Sequence, residues 1–365
     1  MNALNREALW RRLCDAGLAE GDVPAPSASP SPWYVRTMLG VAGWIGALFL
    51  LAFVAAGLAF VFESRMASVV VGVACCGAAY FTFLKAGKND LLSQFALAVS
   101  LAGQAMFVYG IADVVGDDSD SAALPMTIAL FEAALAVMIP NFIHRVGSTV
   151  ASMVALGYAL NVLGVPGLAT GIVAAACAHL WLTESEWLAR GAVWRPIGFG
   201  LAFALLQFDL VSMLGAADLW YRHSESLPPM WMFWIGPVLV AAALIYVVTR
   251  LLERHGVAAG SRTGVTALGA SAAVALATLN APGVASSLLI LVLGFSGGNR
   301  TLFGVGVAGM LGYLSYFYYS LEATLLTKSA VLVATGLVLI ALWACARWLF
   351  GPAPVKEPRP ETSHA

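Results

Sequence analysis

From residue 37 to residue 349 the chain is a succession of apolar runs separated by short polar breaks. Twelve runs can be marked, at 37–62, 66–84, 91–112, 123–143, 148–163, 165–182, 196–214, 232–248, 264–280, 282–296, 301–319 and 328–349. A bilayer core takes roughly 20 apolar residues in a helix. Lipid offers no partner to a backbone amide, so each spanning segment must pair its own N–H and C=O groups. The pattern predicts an all-α polytopic transmembrane bundle of about twelve helices. Water is a poor alternative. Only 11% of the residues are charged and 60% are hydrophobic, against about 25% charged in soluble domains. The 36 glycines suit helices that approach closely in lipid.

Lys and Arg placement sets the orientation. Sixteen of the nineteen fall in segments on the same side as the N-terminus, and only Arg65, Arg222 and Lys328 fall on the other. Positive charge is retained on the cytoplasmic side, so both termini are expected there. Residues 1–22 read as a cytoplasmic amphipathic helix, with Leu9, Trp10 and Leu13 on one side. Residues 23–36 are a Pro/Ser-rich linker, 37–349 the membrane domain, and 350–365 a disordered cytoplasmic tail. The first 36 residues hold no long apolar run, so no cleavable signal peptide is expected.

Two hairpins are short and turn without charge, at Gly164-Val165-Pro166-Gly167 and at Asn280-Ala281-Pro282-Gly283. Full crossings are the expectation. Re-entrant hairpins are the alternative and give the same charge count. Irregular backbone at depth would then line a cavity or be buried in protein. No convincing internal repeat is evident. The second loop, Lys85-Ala-Gly-Lys-Asn-Asp90, lacks the Gly- and Arg-rich motif of the twelve-helix major-facilitator transporters.

The net charge of −1 excludes a nucleic-acid partner, since no basic field is available to neutralise phosphate. Cysteines 14, 75, 76, 177 and 345 form no C-x-x-C pair and read as small buried residues. No helical His-x-x-x-His pair, P-loop, G-x-S-x-G, H-E-x-x-H or dinucleotide fingerprint occurs. Neither a metal nor a cofactor is expected, and an enzyme is the least favoured class.

Polar residues inside the apolar runs carry the functional reading. A charge at mid-bilayer costs about 2.5–3.5 kcal/mol on insertion scales and needs a reason. At 1.5 Å per residue, Glu132 lies about 13 Å below the outer end of its helix, Gln104 about 12 Å and Asp209 about 8 Å. Gln207 is one step deeper than Asp209. Lys328 lies about 10 Å deep if its helix starts at Leu321. These depths define an intramembrane polar layer of Gln104, Glu132, Gln207, Asp209 and Lys328, with Lys328 the counter-ion of Glu132 or Asp209. The bland alternative is that each residue snorkels or pairs locally. The acidic loop 113–120 reads as solvated. The loop 216–231 and Tyr313, Tyr316, Tyr318 and Tyr319 read as an aromatic belt. His179 reads as a helix-to-helix hydrogen bond.

The stretch Tyr318-Tyr-Ser-Leu-Glu-Ala-Thr-Leu-Leu-Thr-Lys-Ser329, with Gly336 after it, resembles the closing motif of a bacterial membrane family, domain of unknown function 4401. Pro32-Trp-Tyr-Val-Arg36 and Gly43-Trp-Ile-Gly46 resemble the start of that family's membrane region. The resemblance implies an inner-membrane protein of Gram-negative bacteria. It also implies partner membrane proteins, among them a small protein with a Gly-Asp-Tyr-x-x-Leu-x-Tyr motif. It implies no activity. Two classes stay open. One is a non-catalytic membrane subunit of a cell-envelope complex, which is slightly favoured. The other is a transporter-like or small-ligand-binding protein with a periplasm-facing polar cavity around Glu132.

Overall fold

The computed structural model describes residues 3–17, 20–22, 64–87, 89–115, 121–213, 234–279, 281 and 283–320, with single positions elsewhere. These residues form eleven α-helices: α1 (Ala3–Asp15), α2 (Arg65–Ala86), α3 (Asp90–Val115), α4 (Ala123–Met138), α5 (Phe142–Val162), α6 (Leu168–Leu182), α7 (Gly191–Met213), α8 (Ile235–Arg254), α9 (Arg262–Ala277), α10 (Val284–Ser296) and α11 (Arg300–Ser320). No strand occurs among the described residues. Five helices are long and apolar enough to cross a membrane: α2, α3, α7 with the 3-10 turn before it, α8 and α11. Four more, α4, α6, α9 and α10, are apolar but shorter. Runs two to eleven of the sequence overlap α2 to α11 in order, one helix to each run, with α5 (Phe142–Val162) at run 148–163. The runs 37–62 and 328–349 lie almost entirely outside the described residues, as do the linker and the tail.

By its contacts the chain divides into two compact units, Met1–Ser148 and Thr149–Ala365. In the first, α2 and α3 pack antiparallel on a seam of small residues. The buried side of α2 is Ser68, Gly72, Cys76, Ala79, Phe83 and Ala86, a spacing of three or four that keeps one face of a helix. The opposite side exposes Met66, Val70, Val73, Phe81 and Leu84. Small residues inside and large apolar ones outside invert the pattern of a helix in water, and they fit a helix solvated by lipid.

One boundary differs from expectation. The run 123–143 is not one helix. α4 stops at Met138, and Ile139 is extended (φ −74°, ψ 121°) because the residue before a proline avoids the helical region. Pro140 cannot continue the ladder. Asn141 then starts α5, its side-chain oxygen accepting from the His144 amide at 3.0 Å, a cap that contributes about 1 kcal/mol. Arg145 donates to the Val137 carbonyl at 3.2 Å, satisfying an orphan acceptor at the end of α4. His144 and Arg145 thus sit in the first turn of a 21-residue helix, not in a loop.

In the second unit six helices alternate in direction. Gly167, before α6, packs on Gly236 of α8, and Arg254, ending α8, donates to the Leu182 carbonyl at the end of α6. Both ends match, so α6 and α8 are parallel. Trp181 of α6 donates to the Gly198 carbonyl of α7 at 3.3 Å, so α7 returns. α10 and α11 meet antiparallel, with Gly294 against Phe303 and Gly306 against Leu291. Tyr313 and Tyr316 of α11 donate to the carbonyls of Leu206 and Met213, so α11 runs with α7. The last turn of α9 and the first turn of α10 share a cavity with Pro237 and Val240 of α8. α6, α8 and α10 therefore run one way, and α7, α9 and α11 the other. The turns before α6 and α10 each place a glycine in the left-handed region after a proline position, Gly167 at φ 82° and Gly283 at φ 91°. Neither helix has a side-chain cap at that end.

Candidate functional site

In the first unit, Gln104 and Glu132 belong to one hydrogen-bonded cluster. The link is His144, which lies between the apolar runs 123–143 and 148–163. Its Nε2 lies 2.9 Å from the Gln104 amide nitrogen and 2.7 Å from the Ser100 hydroxyl. Its Nδ1 lies 3.4 Å from the Ser148 hydroxyl one helical turn on. Ser148 also hydrogen-bonds the Glu132 side chain. With the amide nitrogen turned to the ring, Nε2 is an acceptor and Nδ1 carries the proton. Nδ1 then donates to Ser148, which donates to Glu132. The cluster is deep: Ser100 is 0% exposed, His144 2%, Ser148 3%, Glu132 3% and Gln104 9%. Phe83 packs edge-on to the His144 ring, centroids 6.2 Å apart. The Cys76 thiol donates to the Ser100 carbonyl at 3.7 Å.

One atom stands out. Glu132 Oε2 is buried and has no hydrogen-bond partner among the described residues. A buried polar atom left unpaired costs about 1–3 kcal/mol, and such exceptions are few in native proteins.

His144 holds the cluster together, which yields a stability prediction. His144→Leu leaves the Gln104 amide and the Ser148 oxygen without their ring partner, and is expected to cost about 2 kcal/mol. Thermal unfolding of the purified protein in detergent measures it. An unchanged midpoint would show that these groups find other partners.

In the second unit, Asp209 lies on α7, four residues before its end. It is buried and hydrogen-bonds Ser286, in the first turn of α10. Asp209 Oδ2 and Ser287 Oγ are buried with no hydrogen-bond partner among the described residues. Asp209 and Ser286 line a cavity of about 10 Å³ at the closed end of the α9–α10 hairpin. That is room for about one water-sized body.

The other expected site residues fall differently. Gln207 is exposed. Two residues turn a helix by about 200°, so Gln207 faces away from Asp209 and does not join its cluster. Lys328 lies outside the described residues. Tyr313 is 5% exposed and, with Tyr316, ties α11 to α7. Tyr313 is thus an interior fastener, while Tyr316 is half-buried and Tyr319 exposed. His179 is exposed and makes no described helix-to-helix bond. Cys76 and Cys177 are buried, Cys14 and Cys75 partly so. Residues 116–120 and 214–231 lie outside the described residues. Among the described residues no group of three or more His, Cys, Asp or Glu is placed to hold a metal ion.

A family model described as domain of unknown function (DUF4401) matches residues 32–347. No curated protein and no solved structure matches the chain.

Proposed function

Because the chain belongs to the DUF4401 family, a domain of unknown function, we propose its function from its buried polar groups. The protein is a bacterial inner-membrane protein of about twelve helices with both termini in the cytoplasm. It handles a small ligand, transporter-like, through a polar core around Glu132. The unpaired oxygen of Glu132 carries this reading. A polar cluster kept only to fix helix packing is best when every member is satisfied, and a partly satisfied one is worse than an apolar core. Here Gln104, Ser100, His144 and Ser148 are paired in sequence, while the carboxyl group at the end keeps a free oxygen. A group that receives and releases a guest has that form.

The alternation of α6 to α11 supports full crossings for both hairpins. α6 has only 15 residues, about 22 Å at 1.5 Å per residue. Yet its start packs on the start of the 20-residue α8, and the Arg254 side chain at the other end of α8 reaches its last turn, so it runs alongside most of a helix long enough to cross. Lys328 remains the proposed counter-ion of Glu132 or Asp209. The scaffold reading, with its envelope partners and the small Gly-Asp-Tyr-x-x-Leu-x-Tyr protein, is the competing proposal.

Access of water to Ser148 separates the two. In a background with all five native cysteines replaced, Ser148→Cys is expected to react with a small membrane-impermeant thiol reagent offered in turn from each side of the membrane. The rate should far exceed that of Leu135→Cys, a buried position on the adjoining helix. Equal, negligible labelling at both positions removes the ligand-handling core and leaves the scaffold.

A further inference from the structure

We infer that the closed end of the α9–α10 hairpin binds one small monovalent metal cation, held by Asp209 on α7 and the Ser286 hydroxyl on α10. The inference deepens the ligand-handling reading but uses a different cluster, in the other unit. Three observations converge. Asp209 is 7% exposed, so it is more than nine-tenths buried, and its Oδ2 has no hydrogen-bond partner among the described residues. Asp209 is also part of the wall of a cavity of about 10 Å³, large enough for one water-sized guest and too small for an organic molecule. The remaining polar wall supplies oxygen alone: Ser286, and Thr278, whose hydroxyl already donates to the Val274 carbonyl and leaves its lone pairs free.

Charge and ligand type fix the guest. A single carboxylate matches a single positive charge, and a divalent ion would bury an uncompensated one. Hard cations take oxygen ligands. The last turn of α9 adds the negative end of a helix dipole. The first turn of α10 adds the positive end, which Asp209 engages through Ser286. The structural alternative is that Asp209 only secures the uncapped start of α10 and a water fills the remaining space.

Purified full-length protein in detergent is melted in sodium, potassium or choline chloride at equal ionic strength. The midpoint is expected to be several degrees higher in sodium or potassium than in choline, as a guest that binds only the folded state requires. Asp209→Asn should lose that difference. Ser286→Ala, which keeps the carboxylate, should need several-fold more cation for the same shift, and it carries the comparison if Asp209→Asn does not fold. Identical midpoints in the three salts overturn the site, as does a difference that Asp209→Asn leaves intact. If the wild type is indifferent and only Lys328→Met becomes sodium-dependent, the Lys328 ammonium holds the carboxylate and the metal site is wrong. Ser148 labelling reports on the other cluster, so failure here does not decide the ligand-handling reading.

Discussion

Gly72→Leu is expected to destabilise the protein by about 3 kcal/mol or more, at or above the upper end of what overpacking costs. A Cβ at Gly72 would lie 2.7 Å from the Gly103 carbonyl oxygen and 2.7 Å from the Phe107 amide nitrogen. Both neighbours are backbone, so no side chain can swing away. The reciprocal contact is equally close, since a Cβ at Gly103 would lie 2.7 Å from the Gly72 carbonyl. To admit a side chain, α2 and α3 must separate. Separation loosens the whole seam from Ser68 to Ala86, because the buried side chains along it are mostly small and cannot fill a gap. In lipid no hydrophobic force drives the helices back together, so packing contacts supply most of the association energy. Gly77, on the same helix, is the control. A Cβ there meets nothing within 4 Å, so Gly77→Leu should stay within about 0.5 kcal/mol of wild type. Thermal unfolding in detergent, with the amount recovered from membranes, measures both. Equal midpoints for the two variants would sink the argument.

How much of this was legible in the sequence depends on which physical rule was at work. Hydrophobic length is additive along the chain, so ten apolar runs could be marked with little error. Boundaries inside apolar sequence were harder. The break at Ile139-Pro140 falls in a run that stays hydrophobic on both sides. Only Pro140 followed by Asn141, a terminator and then a cap, could have shown that a new helix begins at Phe142. Without that break His144 falls between two apolar runs, and nothing marks it as the residue that joins Gln104 to Glu132. The His144 and Ser148 spacing of four was the available signal once that helix start was known. Glu132 and Asp209 are buried within the protein, a property that their place inside apolar runs suggests but does not fix. Direction around the helix was not readable: Gln207 and Asp209 shared a depth range but point apart. Contacts between distant runs, such as Tyr313 with Leu206 or Asp209 with Ser286, have no local signature at all.

Gly283→Ala is expected to cost about 3 kcal/mol, because two independent penalties coincide at one residue. Gly283 has φ 91°, and an L-residue in left-handed backbone costs about 1–2 kcal/mol. A Cβ there would also run into the ring of Tyr313. That ring has little freedom, being 5% exposed with its hydroxyl donated to the Leu206 carbonyl. The two penalties can be separated. Gly298 also has positive φ, 63°, but a Cβ there meets nothing within 4 Å. Gly298→Ala should therefore show the backbone penalty alone, about 1 kcal/mol. Shortening the ring should give back part of the loss: the double variant Gly283→Ala with Tyr313→Leu should be less destabilised than the sum of its parts, as groups in contact require. Additivity would mean that the ring moves freely and that strain is the whole effect. The placement of Gly283 adds a functional consequence. It lines the cavity beside Asp209, so shifting the start of α10 moves Ser286 relative to the carboxylate. A turn that tolerates only glycine thus sets the distance between two oxygens on different helices, and the cation dependence of Gly283→Ala should weaken together with its stability.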